Sequence, residues 1–171
     1  RYYPAGEVAG HIIGFTDVDD LGQEGLEYAL DYWLAGEPGS KRVLQDLLGR
    51  VVGDIEQISP SRPGRELRAS IDLRLQYLAY RALLAAVSAS GAQSGSITLL
   101  DVATGEVLAM ATQPSFNPND RTQLDAAHYR NRAVTDYLEP GSSIKPLIAA
   151  AAIESGQFTP ESVIDTSTSY L

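Results

Sequence analysis

The chain has 171 residues, enough for one full domain or for parts of two, and its 44% hydrophobic and 20% charged residues are typical of a globular protein. Its 13 basic and 22 acidic residues give a net charge of −9, which argues against nucleic acid or an anionic membrane surface as a partner. With no cysteine and only two histidines, disulfides, thiolate chemistry and a histidine-built metal site are not expected, and no cofactor is implied.

The N-terminal third is predicted to mix short helices and strands. Residues 1–15 combine turn residues with short apolar runs, which favours a loop leading into a brief strand. Apolar residues at helical spacing from Leu26 to Leu34 predict a helix, and the glycines and proline at 36–39 end it. Residues 41–58 predict a hairpin, with RVLQD and VVGDIEQI as strands and LLGR as the turn.

A proline- and glycine-rich stretch, SPSRPGR at residues 59–65, is the best linker candidate. We therefore predict a domain boundary here, which divides the chain into residues 1–65 and 66–171.

The region after the linker is predicted to contain a long helix and a second hairpin. ELRASI favours a strand, Asp72 an N-cap, and the helix that follows should end before Gly91. Ile97–Leu100 and Glu106–Ala111 predict the two strands of the hairpin, with DVATG as the turn. The helix face expected to meet the core consists of Leu75, Leu78, Ala79, Ala82, Leu83 and Ala86.

The last segment predicts a buried helix. Residues 126–141 are ambiguous between short helix and loop, whereas 142–156 are apolar on nearly all sides, so this helix should lie in the domain interior. Proline is tolerated only in the first turn of a helix. Pro146 therefore indicates that regular helix begins close to Ser142 or Ser143, or else that the helix is kinked there.

The segment EPGSSIKP, residues 139–146, carries the candidate chemistry. A serine at a helix start has free backbone N–H groups nearby, which can stabilise an oxyanion. Lys145 lies three residues after Ser142 and shares its helix face, whereas from Ser143 it points elsewhere, so the spacing favours Ser142 as the nucleophile. Lysine acts as a base only when neutral, which requires burial or a nearby positive group. The alternative is that the serines only cap the helix, since serine is a preferred N-cap.

The sequence around this pair resembles a known family. NRAVTDYLEPGSSIKPL is similar to the segment around the active-site serine of the penicillin-binding proteins, in which Ser-x-x-Lys is the first of three motifs. RYYPAGEVAGHIIGFTDVDDLGQEGLE and WLAGEPG resemble the pedestal module of the class B members, and GFTDVDDLGQEGLE is most similar to the cell-division type. ASIDLRLQ resembles the entry to the transpeptidase domain, and GSITLLDVATGEVLAMATQPSFNPND resembles its first hairpin and the loop that follows.

The resemblance implies an α+β fold. Residues 1–65 would be part of a dimerisation-type pedestal with its linker. Residues 66–171 would be the N-terminal part of a transpeptidase domain similar to the serine β-lactamases, with a sheet packed against helices and a buried helix that carries Ser-x-x-Lys.

The resemblance also implies a D,D-transpeptidase that cross-links peptidoglycan during septal cell-wall synthesis. Ser142 would attack the carbonyl between the terminal D-alanines of a stem peptide, its backbone N–H would contribute to the oxyanion hole, and Lys145 would take the serine proton. An amine of a neighbouring stem peptide would accept the acyl group. β-Lactams would acylate the same serine. No further substrate-binding residue is assigned.

The family's other two motifs, Ser-x-Asn and Lys-Thr/Ser-Gly, do not occur after Lys145. We therefore expect the chain to be an N-terminal portion of a longer polypeptide and to be inactive by itself. The longest apolar run, Leu147–Ile153, is far shorter than the about 20 residues that a membrane-spanning helix needs. The resemblance implies an inner-membrane anchor upstream of Arg1, a periplasmic location, and a membrane glycosyltransferase among several division partners.

Two alternative functions stay open. A β-lactam-sensing or β-lactam-hydrolysing relative would share Ser-x-x-Lys, although the pedestal-like residues 1–58 argue against it. The pedestal could instead act mainly as a docking scaffold for the division machinery. A Ser-His-Asp hydrolase is disfavoured because no GxSxG elbow occurs and neither histidine has a triad-like context. Asn131 and Arg132 are expected to brace the loop ahead of Ser142 rather than to touch substrate.

Overall fold

The computed structural model describes residues 1–120, 122 and 125–164, which fall into two compact units, Arg1–Asp136 and the described residues from Tyr137 on. Among the described residues no helix is both long enough and apolar enough to span a bilayer. The helices are α1 (Gly10–Ile13), α2 (Gly25–Ala29), α3 (Asp31–Leu34), α4 (Leu73–Ser90), α5 (Ala126–Tyr129), α6 (Arg132–Thr135) and α7 (Lys145–Glu154), and the strands are β1 (Ser40–Gln45), β2 (Val51–Ser59), β3 (Gly95–Leu100) and β4 (Val107–Gln113).

Helix α4 begins and ends where the sequence predicts. The Asp72 carboxylate accepts hydrogen bonds from the backbone N–H groups of Arg74 (2.8 Å) and Leu75 (3.4 Å), as an N-cap does. Gly91 follows the last turn with φ 65°, the left-handed conformation that glycine adopts most easily. Local capping therefore fixes both ends of this helix.

The face that α4 buries is displaced from the predicted one. Tyr80 and Leu83 pack against Ala111 of β4, while Leu78, predicted to face the core, is 62% exposed. The polar residue Gln76 occupies the first turn of the buried face and is 1% exposed. The prediction is confirmed for Leu83 and wrong for Leu78, and it missed Gln76 because it assigned only apolar residues to the core.

Gln76 is buried with its hydrogen-bonding capacity in use. Its Nε2 donates to the carbonyl oxygens of Val8 (2.7 Å) and Met110 (2.9 Å), and its Oε1 accepts from the backbone N–H of Met110 (2.8 Å). A buried amide is tolerated when its donors and acceptor are paired in this way. One side chain thus joins α4, β4 and the N-terminal segment.

Strands β3 and β4 form the antiparallel hairpin predicted from the sequence, with Ile97 opposite Ala111 and one register shift between Leu99 and Leu100. In the turn, the Asp101 carboxylate accepts hydrogen bonds from the backbone N–H groups of Ala103 (2.9 Å) and Thr104 (2.8 Å). These local bonds explain why the hairpin was predictable.

The N-terminal segment is helical where a strand was predicted. A 3-10 turn at Gly6–Val8 precedes α1. Tyr3 and Phe15 pack on Phe116, which lies in the loop after β4, and the two side-chain groups of Asn119 hydrogen-bond the backbone of Tyr3 at 2.9 Å each. The prediction failed because these distant contacts, rather than the local sequence, hold the segment.

The helix predicted from Leu26 to Leu34 is present but is broken at Leu30, where φ is −121° and ψ is 25°. The Asp31 carboxylate that follows the break accepts a hydrogen bond from the backbone N–H of Gly22 at 2.9 Å. Two short helices, α2 and α3, therefore replace one longer helix.

Strands β1 and β2 form the first predicted hairpin, and its residues are almost all exposed. The pairing is antiparallel with three register shifts. Two cross-strand ion pairs, Lys41–Asp54 (3.0 Å) and Arg42–Glu56 (3.3 Å), connect the strands. Exposed pairs of this kind contribute little to stability.

The stretch ELRASI after the linker is not a strand. Single contacts hold it instead: the Trp33 indole N–H donates to the carbonyl oxygen of Glu66 (3.2 Å), and the Ser70 hydroxyl donates to that of Val107 (2.8 Å). The Arg65 guanidinium lies over the Trp33 ring, 4.6 Å from its centroid. The domain boundary at residue 65 stays a prediction.

Candidate active site

Ser142 lies in a 3-10 turn, Gly141–Ile144, that leads directly into α7. The backbone N–H of Ser143 donates to the carbonyl oxygen of Pro140 (3.0 Å), and that of Lys145 donates to the carbonyl oxygen of Ser142. The predicted helix is therefore present, but its first turn is tighter than an α-helix. Ser142 and Lys145 stand one such turn apart.

The residue before Ser142 must be glycine for its backbone conformation. Gly141 has φ 53°, in the left-handed region that side chains other than glycine disfavour. A Cβ atom here would meet no heavy atom within 4 Å, so space is not the constraint. The sharp entry of the chain into the Ser142 turn thus depends on Gly141.

Pro146 is the second residue of α7, which begins at Lys145. A proline here loses no helical hydrogen bond, because the first N–H groups of a helix have no partner within it. The sequence argument that proline marks the start of the helix is confirmed, with α-helical geometry beginning three residues after Ser142.

The serines do not cap the helix. Neither the 3-10 turn nor α7 has a side-chain cap, and the residues in the capping positions are Pro140 and Ile144. Among the described residues, none accepts a hydrogen bond from the backbone N–H of Ser142. Ser142 is an exposed residue.

The expected burial of α7 is not observed, and this prediction is wrong for the described chain. No residue of α7 is buried, and its large apolar side chains are exposed: Leu147 by 66%, Ile148 by 60% and Ile153 by 47%. An alanine-rich helix can form from local propensity, but its burial needs packing partners on several sides. The described residues do not supply them.

In the first unit, Asn131 connects three segments, α1, β4 and α6. Its Oδ1 accepts from the backbone N–H of Ala133 at the start of α6 and from the Thr112 hydroxyl of β4, both at 3.3 Å. Its Nδ2 lies 3.4 Å from the carbonyl oxygen of His11 and 3.3 Å from the Met110 sulfur. These contacts leave no free donor on the amide.

Arg132 takes part in an ion-pair network around Asp136. Its guanidinium and that of Arg130 each lie 3.0 Å from the same Asp136 carboxylate oxygen. Desolvation alone would raise the pKa of Asp136, but hydrogen bonds from Arg132 and Thr135 and the charge of Arg130 lower it. Arg132 thus holds residues 127–136 together, and its expected role in bracing the loop ahead of Ser142 stays a prediction.

Ser115, Phe116 and Asn117 match the pattern Ser-x-Asn, but the structure gives them roles in the loop after β4. The Ser115 hydroxyl lies 3.4 Å from that of Tyr80, and the Phe116 ring packs edge-on against His11 with centroids 5.1 Å apart. Asn117 accepts a hydrogen bond from the backbone N–H of Asn119 (3.0 Å). These contacts hold the stretch in the loop after β4.

Two protein-family descriptions match the chain. Residues 1–69 match the penicillin-binding protein dimerisation domain, and residues 95–171 match the penicillin-binding protein transpeptidase domain.

The chain is also similar to named bacterial enzymes. It is 49% identical over 166 residues to the peptidoglycan D,D-transpeptidase FtsI of Escherichia coli K12. This alignment covers 97% of this chain and 28% of FtsI. It is 40% identical over 171 residues to the probable peptidoglycan D,D-transpeptidase PbpC of Pseudomonas aeruginosa, covering 100% of this chain and 30% of that protein. The chain thus spans less than a third of the length of these relatives.

Solved structures agree with these matches. Penicillin-binding protein 3 of Mycobacterium tuberculosis superimposes with a TM-score of 0.77 in its apo form and 0.78 in its complex with ampicillin. In both superpositions the sequence identity is 33%, and the aligned part covers 96% of this chain and 33% of the Mycobacterium tuberculosis protein.

Proposed function

Since the chain belongs to the class B penicillin-binding proteins, most similar to the cell-division type, we propose that it acts in peptidoglycan D,D-transpeptidation with Ser142 as the nucleophile. The observation that carries this proposal is the 3-10 turn that holds Ser142 directly after Gly141 and three residues before Lys145. Ser142 is exposed, and among the described residues its backbone N–H has no hydrogen-bond acceptor.

The reaction divides into acylation and deacylation. The Ser142 hydroxyl attacks the carbonyl of the penultimate D-alanine in a stem peptide, while the Lys145 amine, as general base, takes the proton and passes it to the departing D-alanine. The N–H of Ser142 donates to the oxyanion formed on that carbonyl. The amine of a second stem peptide then attacks the ester, which releases Ser142 and creates the cross-link.

β-Lactams are proposed to acylate Ser142 in the same way, since their ring amide presents a carbonyl to the serine and opens without losing a fragment. The relative of known structure from Mycobacterium tuberculosis, 33% identical to this chain, has been crystallised with ampicillin. The chain itself holds no Ser-x-Asn or Lys-Thr/Ser-Gly after Lys145. We therefore propose that residues outside the present sequence complete the substrate site and that these 171 residues alone are inactive.

A transfer assay on the whole protein distinguishes this function from β-lactam hydrolysis. A stem peptide ending in D-Ala-D-Ala is supplied with an amine acceptor, and free D-alanine and the new amide are measured. We expect both products in equal amounts. In a parallel incubation with penicillin, rapid release of the hydrolysed drug, together with no amide formation from the stem peptide, would instead identify a hydrolysing relative.

A docking role for the pedestal is a second candidate function, and the β1–β2 hairpin favours it. A two-stranded hairpin exposed on both faces is marginally stable alone in water. Large apolar residues lie exposed along it, including Leu47 (106%), Leu48 (73%) and Val52 (63%). We propose that a membrane glycosyltransferase or another division protein covers this hairpin at the periplasmic face of the inner membrane. Loss of such binding after truncating the hairpin would support the role, and unchanged binding would refute it.

A further inference from the structure

A cavity of about 450 Å³ lies within the first unit, outside the residues assigned to catalysis. It is bounded by α1, α2, residues 69–71, β4 and α6. Its volume falls within the roughly 300–1,000 Å³ that is usual for small-molecule sites. The residues around it come from both the pedestal-like and the transpeptidase-like parts of the sequence.

Most of the cavity wall is apolar. Leu26, Ile71, Val107 and Met110 contribute to it, together with Val134, which is 67% exposed. Such a wall favours an apolar ligand body, since its burial removes hydrocarbon surface from water.

The polar side chains that could donate hydrogen bonds into the cavity already have acceptors. The Ser70 hydroxyl donates to the carbonyl oxygen of Val107 (2.8 Å), and the Thr135 hydroxyl to that of Asn131 (3.0 Å). The Asn131 amide donates to the carbonyl oxygen of His11 (3.4 Å). Among the described residues that line the cavity, no side-chain donor is left for a ligand.

Two acceptors, by contrast, have no partner among the described residues. The Glu24 carboxylate forms no hydrogen bond or ion pair with them, and burial raises its pKa. His11 places Nε2 2.8 Å from the carbonyl oxygen of His128. Because a carbonyl oxygen only accepts, Nε2 carries the proton in the neutral ring, and Nδ1 is an acceptor with a free lone pair.

We propose that this cavity binds an organic cation, an ammonium group on a compact apolar body, with Glu24 as its counter-ion and His11 as a second acceptor. A ligand with N–H donors and one positive charge matches a wall with free acceptors and no free side-chain donor. Arg132 lies near His11, but its own charge is paired with Asp136 at 3.0 Å. The proposal does not depend on the transpeptidase function.

The test titrates the ¹⁵N-labelled full chain with cyclohexylmethylammonium chloride and follows amide chemical shifts. Cyclohexylmethanol, with the same ring but no charge, is the comparison ligand. We expect the amine to shift amides around the cavity, including those of Ala29 and Val134, and to bind about fivefold more tightly than the alcohol, as one partly exposed ion pair provides. Equal affinities, or shifts confined to other surfaces, would overturn the proposal.

Two variants identify the counter-ion. Glu24→Gln keeps the shape of the side chain and removes its charge, so the preference for the amine over the alcohol should disappear. Glu154→Gln makes the same change on α7, outside the cavity, and should leave the preference for the amine intact. An unchanged preference in Glu24→Gln would contradict the assignment. If that variant does not fold, the two ligands compared on the unmodified chain still decide the proposal.

Discussion

The backbone N–H of Lys145 donates a hydrogen bond to the carbonyl oxygen of Ser142, at the point where the 3-10 turn becomes α7. This bond closes one turn of the chain between the proposed nucleophile and the proposed base. Side chains three residues apart in a helical turn lie on the same face, so the turn orients both groups without help from distant residues. Local sequence alone therefore specifies the turn on which the proposed nucleophile and base lie.

The role of Lys145 as base predicts a large kinetic effect of removing its amine. Lys145→Met keeps the length of the side chain and should slow acylation of the whole protein by penicillin about 10²- to 10⁴-fold, the usual contribution of a positioned base. Stopped-flow acylation with a fluorescent penicillin measures the rate. Lys41→Met is the matched control, because Lys41 is the only other lysine and lies in the exposed β1–β2 hairpin. Equal slowing in both variants would refute a specific role for Lys145.

Gly141 should be required for its backbone conformation. Gly141→Ala forces a residue with a Cβ atom into φ 53°, at a cost of about 1–2 kcal/mol, although the site has open space. The turn that follows should loosen, which lowers the acylation rate. Gly53→Ala places the same methyl group in equally open space on β2, where φ is not positive, and should have little effect on acylation. A normal rate for Gly141→Ala would show that the turn tolerates another conformation.

Gln76 should be the most sensitive polar position of the first unit. Leucine is similar in volume to glutamine, but Gln76→Leu removes the hydrogen-bond partner of three partly buried backbone groups of Val8 and Met110. We expect the free energy of unfolding to fall by about 2–4 kcal/mol. Urea denaturation measures this change, and Gln45→Leu on exposed β1 is the control. A decrease in the free energy of unfolding of less than about 1 kcal/mol would contradict this expectation, since it would mean that water hydrogen-bonds the backbone groups of Val8 and Met110 in place of the amide.

The charge of Asp72 predicts a pH-dependent contribution to stability. The side-chain hydrogen bond from Arg74, followed by the backbone N–H groups at the helix start, lowers the pKa of Asp72 from 3.8 to about 2. Because the folded value lies below the unfolded one, the contribution is present above pH 3.8 and is lost as the pH falls towards 2.

Melting temperatures between pH 6 and pH 2 test this expectation. Asp72→Asn retains an oxygen that can cap α4 but carries no charge. The unmodified chain should melt higher than the variant at pH 6, and the difference should vanish near pH 2. Asp19→Asn, at an exposed turn, provides the control. A difference that does not change with pH would contradict the assigned pKa.

The elements that the sequence predicted well are those that local interactions specify. Asp72 and Gly91 mark the ends of α4 through capping, and the Asp101 turn sets the β3–β4 hairpin. In the second unit, Pro146 and the spacing from Ser142 to Lys145 located the start of the helix to within three residues.

The elements that the sequence missed depend on distant contacts. The N-terminal segment is held by Phe116 and Asn119, more than 100 residues away along the chain, as the Tyr3–Asn119 separation of 116 shows. Gln76 lies on the buried face because its partners are backbone groups, which no side-chain pattern reveals. The free acceptors around the cavity also become visible only when α1, α2 and α6 are placed together.

The most direct test of the proposed function maps the site of acylation in the whole protein. The protein is treated with a fluorescent penicillin, digested, and sequenced by tandem mass spectrometry. The adduct should lie on Ser142, should be absent from Ser142→Ala, and should persist in Ser143→Ala. An adduct on Ser143, or labelling that survives in Ser142→Ala, would contradict the assignment of Ser142 as the nucleophile.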